Sequence, residues 1–422
     1  MKKLIVLTLS LAMLALLGCQ QRKELPTTTI VTEQGEQKEL PLVTVTVDEP
    51  MWQSSNFLAF LRTVPGYDKE FHVEYELIDM EPMRSYRMEN LRVEVMAGKG
   101  PDLFLVDCHF TTLGGYMMVD EDMEVKSLFP FPEQVMNNHI FLPLDEYIED
   151  AQFMDMDQLM PQIMEVGQGE EGQMILPLQY DFYAMAMDKD LYAEPPAPSR
   201  EGYLQSGNRY LERAALGDNI FGMLQYFGRD ADYAKEELTF TEEELLEIAL
   251  GVAEGSKKRG EGCYPEPASP WFLGSHLQNG RKADEVYVPV YNRDQGVTAF
   301  VTNFGAVNRN ANYPEYAFRI LDKLLDKETQ KEAALYGWSE GLVPSTAQGT
   351  ENLQGITMDP ETARQFMDIR DKINAVKFCT DMDREAQRQL FLLCQKEGAT
   401  QDQIEKAVRD TYRTMQMMLA ES

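Results

Sequence analysis

The stretch VEVMAGKGPDLFLVD, residues 93–107, changes its period halfway along. Val95 closes an apolar stripe that begins with Met88 and Leu91, the spacing of one helix face. Gly98-Lys99-Gly100-Pro101 then breaks the helix. Leu103-Phe104-Leu105-Val106 follows as a short apolar run of strand length. Upstream the same alternation repeats. VEYELI (73–78) reads as a strand, and the helix after it spans 83–96. Before it, Phe57, Phe60, Leu61 and Val64 fall at i, i+3, i+4 and i+7, capped by Ser54 or Ser55 and ended by Pro65-Gly66. LVTVTV (42–47) is a β-branched strand. The order β-α-β-α-β predicts an α/β fold with parallel pairing and right-handed crossovers. Acids follow each strand: Asp48, Asp79 and Asp107. Ligands of open α/β sheets bind outside the carboxyl ends of strands, so at least one of these acids is expected to border a site. Taken singly, each also reads as a loop or helix cap.

At the start, Lys2 and Lys3 precede an apolar run over 4–17 that is short for a membrane span. The run ends in Leu16-Leu17-Gly18-Cys19, which resembles the lipobox of bacterial lipoproteins. The resemblance implies a signal peptide over 1–18 and lipidation of Cys19. Two acyl chains make such anchoring stable. Residues 19–40 are polar and read as a flexible tether.

The chain has 422 residues, 44% of them hydrophobic, enough for a large core and more than one domain. A net charge of −31, without a basic stripe, excludes nucleic acid as a partner. Cys108, Cys263, Cys379 and Cys394 are sparse and lack metal-type spacing, so mostly free, buried thiols are expected and no pairing is selected. The four histidines are scattered, and Cys108-His109 reads as a buried structural pair. The sequence has no G-x-S-x-G, H-E-x-x-H, Walker A or Rossmann glycine pattern. Paired carboxylates carry no information among 70 acids. The run EEELLE (242–247) reads as a helix start after Thr241.

Residues 93–107 are similar to the segment "helix, A-G-x-G-P-D, strand" of family 1 extracellular solute-binding proteins of bacterial ABC transporters, the maltose-binding-like group. FLPLDEYIED (141–150) and GQMILPLQYDFYAMAMDKDLY (172–192) resemble further segments of that family. So does 308–346, where Pro314 opens a helix with Ala317, Ile320, Leu321 and Leu324 on one stripe. Departures are the long Met- and Phe-rich connection 108–139, the Pro195-Pro196-Ala197-Pro198 run in place of Pro-Thr-Trp, and Ile175 and Asp188 where tyrosine and asparagine are common.

The resemblance implies a two-lobe periplasmic-binding-protein-like fold, type II, with the ligand cleft between the lobes. The expected N-terminal lobe is 41–148 with 298–345, and the C-terminal lobe 149–297 with 346–422. Crossing segments are expected near 141–149, 296–301 and 342–350. The implied function is capture of a small solute, with a saccharide favoured, and its delivery to an ABC permease by a lipid-anchored monomer on the extracytoplasmic face of the membrane. No cofactor and no catalysis are expected. Alternatives are a sensor or adhesion subunit of the same fold and, third, an extracellular hydrolase. Candidate ligand contacts are Trp52, Trp271 and Trp338, with Ser55, Asn56, Asp107, Tyr180 and Asp181 as polar partners. Core packing is the competing reading for the aromatics, and capping for the serines.

Overall fold

The computed structural model describes residues 25–31, 35–48, 54–78, 84–108, 127–217, 222–257, 268–278, 284–331, 342–345, 352–353 and 356–421. The leader, Cys19, Trp52, Asp79, His109, Cys263 and Trp338 lie outside the described residues. Within them, nine strands join into one curled sheet: β1 (Thr27–Val31), β2 (Gln37–Asp48), β3 (His72–Ile78), β4 (Leu103–Asp107), β5 (Leu176–Asp188), β6 (Ala268–Phe272), β7 (Glu285–Pro289), β8 (Val297–Val307) and β9 (Ile373–Phe378). Among the helices are α1 (Ser54–Leu61), α2 (Arg84–Met96), α3 (Pro132–Asn137), α4 (Glu242–Lys257), α5 (Pro314–Leu324), α6 (Pro360–Arg370), α7 (Asp381–Glu385) and α8 (Gln401–Glu421).

β2 pairs in parallel with β3 on one edge and β4 on the other, as the β-α-β-α-β pattern predicts. The turn from α2 to β4 needs its glycines. Gly98 and Gly100 have φ of 72° and 98°, and a Cβ on Gly100 would lie 2.9 Å from Val95. Asp102, next in the motif, is 1% exposed. Its carboxylate accepts from the Thr44 N–H at 2.8 Å and from the Asn312 N–H. It thereby fastens β4 to β2 and to the segment entering α5.

Pro314 occupies the first turn of α5, and Ala317, Ile320, Leu321 and Leu324 are all fully buried. They pack with Val43, Val45, Phe57, Phe60 and Leu103 in one core cluster. Gly305 of β8 permits that packing, since a Cβ there would lie 2.2 Å from Leu321 Cδ2. A separate, helical cluster joins Leu245 and Val252 of α4 to Leu390 and to Val408 and Met415 of α8. Thr241 and Glu244 form a reciprocal cap at the α4 start, at 2.7 and 3.2 Å.

β5 and β8 connect these regions. Nearly every residue of both strands is buried, because each strand has packed side chains on both faces. Tyr183, Met185 and Met187 enter one cluster, while Tyr180, Phe182, Ala184 and Ala186 enter another. This is the period of two that a strand imposes.

The sequence reading differs at the beginning. Thr27–Val31, read as tether, pairs antiparallel with residues 37–41 of β2. Its exposure alternates only between exposed and intermediate, so an edge strand in this position carries no apolar signature.

Candidate functional site

β4 and β9 meet end to end on β8. β4 runs antiparallel to β8 with Asp107 opposite Asn303, while β9 runs parallel to it with Phe378 opposite Val301. Their carboxyl ends therefore converge on Thr302 from opposite directions. The Cys108 N–H donates to the Thr302 carbonyl at 2.8 Å, closing β4 against this point. On the other edge of β8 the pairing with β5 slips by a residue between Val301 and Asn303. At the slip, Asn303 Nδ2 donates to Gln179 Oε1 at 2.7 Å, with both residues fully buried. Strand carboxyl ends from two parts of the sheet meet here beside a register slip, which makes this point the candidate site.

The charges around it are neutralised unevenly. At the end of β2, Asp48 is bound by Arg84, with N–O distances of 2.7 and 2.8 Å, and Arg84 also donates to the Ile78 carbonyl. At the end of β9, Lys377 is 2% exposed and lies between Asp230 and Asp383, 2.7 Å from the latter. Burial works against the ammonium, but the pull of the two carboxylates outweighs it and holds its pKa above the ordinary lysine range. Burial also pushes the Asp230 carboxyl up, against the opposing effect of Lys377. Asp107 is 6% exposed and carries its carboxyl at the end of β4.

Burial raises the Cys108 and Cys379 thiols well above the usual thiol range, and each is pushed further by the acids around it. Such thiols are poor nucleophiles. The described residues contain no group of three or more His, Cys, Asp or Glu side chains placed to hold a metal ion.

Of the sequence candidates, the structure brings Asp107, Tyr180 and Asp181 together around β8, opposite Asn303, Val301 and Phe300 respectively. Tyr180 is fully buried and its hydroxyl donates to Met160 Sδ at 3.1 Å. Burial raises its pKa. Asp181 is 1% exposed and accepts from the backbone N–H of Gly274 at 2.9 Å and of Phe182 at 2.8 Å. Both are thus held inside the sheet. Ser55 and Asn56 are in the first turn of α1, which follows the carboxyl end of β2, and Asn56 is half-buried. Trp271 is a residue of β6 whose backbone pairs opposite Ala184, three residues along β5 from Asp181. Trp52, Trp338 and Cys19 lie outside the described residues.

Sequence reasoning missed Lys377, Asp230, Asp383, Gln179 and Asn303. A signal was available: Lys377 interrupts the strand INAVKF, and Asn303 and Gln179 interrupt the apolar runs of β8 and β5. A polar residue inside a doubly covered strand must find a partner.

The fold is that of the two-lobe solute-binding proteins. An extracellular solute-binding protein family 1 from Alicyclobacillus acidocaldarius is 12% identical, the match covering 89% of this chain and 98% of that one with a TM-score of 0.59. The sugar-binding protein MalE from Xanthomonas citri is 13% identical over 90% of this chain and 98% of its own, with a TM-score of 0.60. A sugar transporter structure from Arthrobacter chlorophenolicus, with bound laminaribiose, is 14% identical over 89% and 99%, with a TM-score of 0.56. No protein-family model matches the chain, and no curated protein sequence does.

Proposed function

We propose that this chain is an extracytoplasmic solute-binding protein that captures a small solute, a saccharide, between two lobes and delivers it to an ABC permease. The observation that carries the reading is the end-to-end meeting of β4 and β9 on β8. Strand carboxyl ends from two regions of the sheet thereby come to one point on β8, which supports the two-lobe reading. The lobe boundaries follow the sequence reading: 41–148 with 298–345, and 149–297 with 346–422. Saccharide-bound neighbours of the same fold support the solute class.

Closure is the mechanism. A solute touching both lobes only when they are together stabilises the closed state by its differential affinity. Motion is absorbed where few segments cross, the hinge class of movement. Asp107, Asp181, Tyr180, Ser55 and Asn56 furnish polar contacts or support them, and Trp52, Trp271 and Trp338 furnish stacking faces for sugar rings. Cys19 carries the lipid that keeps this monomeric carrier at the membrane, beside its permease.

A thermal-shift screen of mono- and oligosaccharides, peptides and polyamines, followed by small-angle scattering with each hit, tests the proposal. A ligand at a hundredfold its Kd stabilises by about 2.7 kcal/mol. The expected result is a stabilising saccharide that lowers the radius of gyration and is recovered unchanged. Product formation with an unchanged scattering curve would replace capture by hydrolysis.

A further inference from the structure

Residues 127–142 touch both the core around β4 and the helical cluster of α4 and α8. On one side, Arg92 of α2 donates to the carbonyls of Leu128, at 2.7 Å, and Ser127. Phe129 packs edge-on against Phe104 of β4 and against Phe141, with ring centroids 5.2 and 5.1 Å apart. The Leu142 N–H donates to Val307 and the Arg309 N–H to Ile140, both at 2.9 Å. On the other side, Phe131 joins the helical cluster of α4 and α8, its ring 6.4 Å from that of Tyr233. Gln134 Nε2 donates to the Leu419 carbonyl of α8 at 2.8 Å, and the Asp381 N–H donates to the Pro130 carbonyl at 3.3 Å. Glu133, the first acid of α3, is bound by Arg229.

We propose that residues 127–142 form a latch between the two bodies, and that its hold on the helical body is set by the protonation state of Glu133. The proposal rests on the two-lobe reading above, because a latch has meaning only where two bodies can separate. Glu133 is 6% exposed, while its partner Arg229 is mostly exposed, so the pair is a buried carboxylate facing a solvated cation. Asp230 and Lys377 also face it, and Tyr233 and Asp383 complete the surrounding cluster. Asp381 and Arg92 flank the latch near Pro130 and Leu128. The one histidine of the latch, His139, is turned instead toward Glu171, which also binds Arg309. A groove of about 530 Å³ runs beside the latch between Val95 and Met96 of α2 and Met418 of α8, leaving room for it to shift.

Burial, more than any charge, raises the Glu133 carboxyl to about 7, so its neutral form is the one the buried position favours. The sign follows. Above its ordinary value of 4.5 and up to about 7 the latch keeps its proton when docked, and the docked state weakens as the pH rises through about 7. A pH unit beyond that value changes the protonated fraction roughly tenfold.

The test uses the whole ligand-free protein. Amide hydrogen exchange, corrected for intrinsic rate, is measured at pH 6.0 and 8.0 on wild type, Glu133→Gln and Arg229→Ala, with scattering on the same samples. The wild-type latch is expected to exchange roughly tenfold faster at pH 8.0 with a larger radius of gyration, and peptides of β8 to remain unchanged. Glu133→Gln, which is neutral at both values, should remain protected and compact at both. Arg229→Ala should lose protection mainly at pH 8.0. Equal wild-type protection at both pH values, or the same pH dependence in Glu133→Gln, would overturn the proposal. So would a latch that loosens without any change in radius. Solute capture is read separately, from ligand-induced compaction, so failure of the latch and failure of that reading give different results.

Discussion

Replacing Lys377 with methionine removes the cation from a buried cluster and keeps most of its volume. The ammonium is 2.7 Å from Asp383, touches Asp230, and lies 5.8 Å from the centre of the Phe300 ring. At an effective dielectric constant of about 20, a pair at that separation is attracted by roughly 6 kcal/mol before desolvation. Two carboxylates share the one ammonium, so the variant leaves both in a pocket without a cation. Breaking a buried pair in this way costs about 3–5 kcal/mol. Asp383 has a second duty, accepting from the Thr380 N–H at 2.9 Å ahead of α7, so removing that side chain altogether would confuse two effects. Asparagine at 230 and 383 retains the acceptors and removes the charges. Urea denaturation followed by circular dichroism should show Lys377→Met destabilised by about 3–5 kcal/mol at pH 7, and Lys377→Met/Asp230→Asn/Asp383→Asn recovering most of that. The deficit of the single variant has a pH signature. Without lysine nothing opposes the burial that already pushes the Asp230 carboxyl up, so its neutral form is favoured when folded and the deficit shrinks as the pH falls toward 5. A single variant within about 1 kcal/mol of wild type, or a deficit that ignores pH, would refute the claim that charge compensation holds this end of β9.

Asp322 of α5 accepts from three consecutive backbone N–H groups, those of Gln152, Phe153 and Met154, at 2.9, 3.0 and 2.7 Å. Asp322→Ala should destabilise by about 2–4 kcal/mol in the same assay, with Asp322→Asn intermediate; an unchanged midpoint would contradict this. Cys19→Ala should shift the protein from the membrane fraction to the medium or to an unprocessed precursor, read by fractionation and intact mass. Trp271→Ala should weaken saccharide binding by about 1–3 kcal/mol by calorimetry while leaving the melting temperature close to wild type; a collapse of the fold would assign Trp271 to the core.

Local periodicity explains which parts of the fold were legible. The strands at 42–47, 73–78 and 103–106, and the stripe of α5, each announce themselves within one short window, and each lies where the pattern puts it. The Gly98–Asp102 motif was legible as a turn, but the role of Asp102 was not, because Thr44 and Asn312 are 58 and 210 residues away in sequence. β1 escaped notice because neither face of this edge strand is buried. The site was less legible than the fold for the same reason. Lys377 becomes a buried cation only when β9 docks beside β8 in register and brings Asp230 from another part of the chain. Tyr180 and Asp181 were read only as polar residues after a turn at Leu176-Pro177, but those residues belong to β5, and the confinement of Tyr180 and Asp181 within the sheet depends on Leu342 and Gly274 from other parts of the chain.

For the proposed solute site, the distribution of charge where β4 and β9 meet bears on the kind of solute it would take. Asp48 and Asp107 end β2 and β4, Asp181 lies within β5, and Asp230 and Asp383 flank Lys377 near the end of β9, all of them buried. Arg84 is committed to Asp48, and Lys377 to Asp230 and Asp383. An anionic solute entering here would meet a field of its own sign, reinforced by a chain of net charge −31, and would lose its hydration without gaining a cation. A polyol differs in both respects. Its hydroxyls donate, so carboxylate oxygens suit it, and it brings no charge to desolvate. Its apolar ring faces also match aromatic side chains, which a small inorganic ion cannot use. Under the proposed function, committed cations in a net-acidic chain thus favour a neutral, hydroxyl-rich solute over an anion.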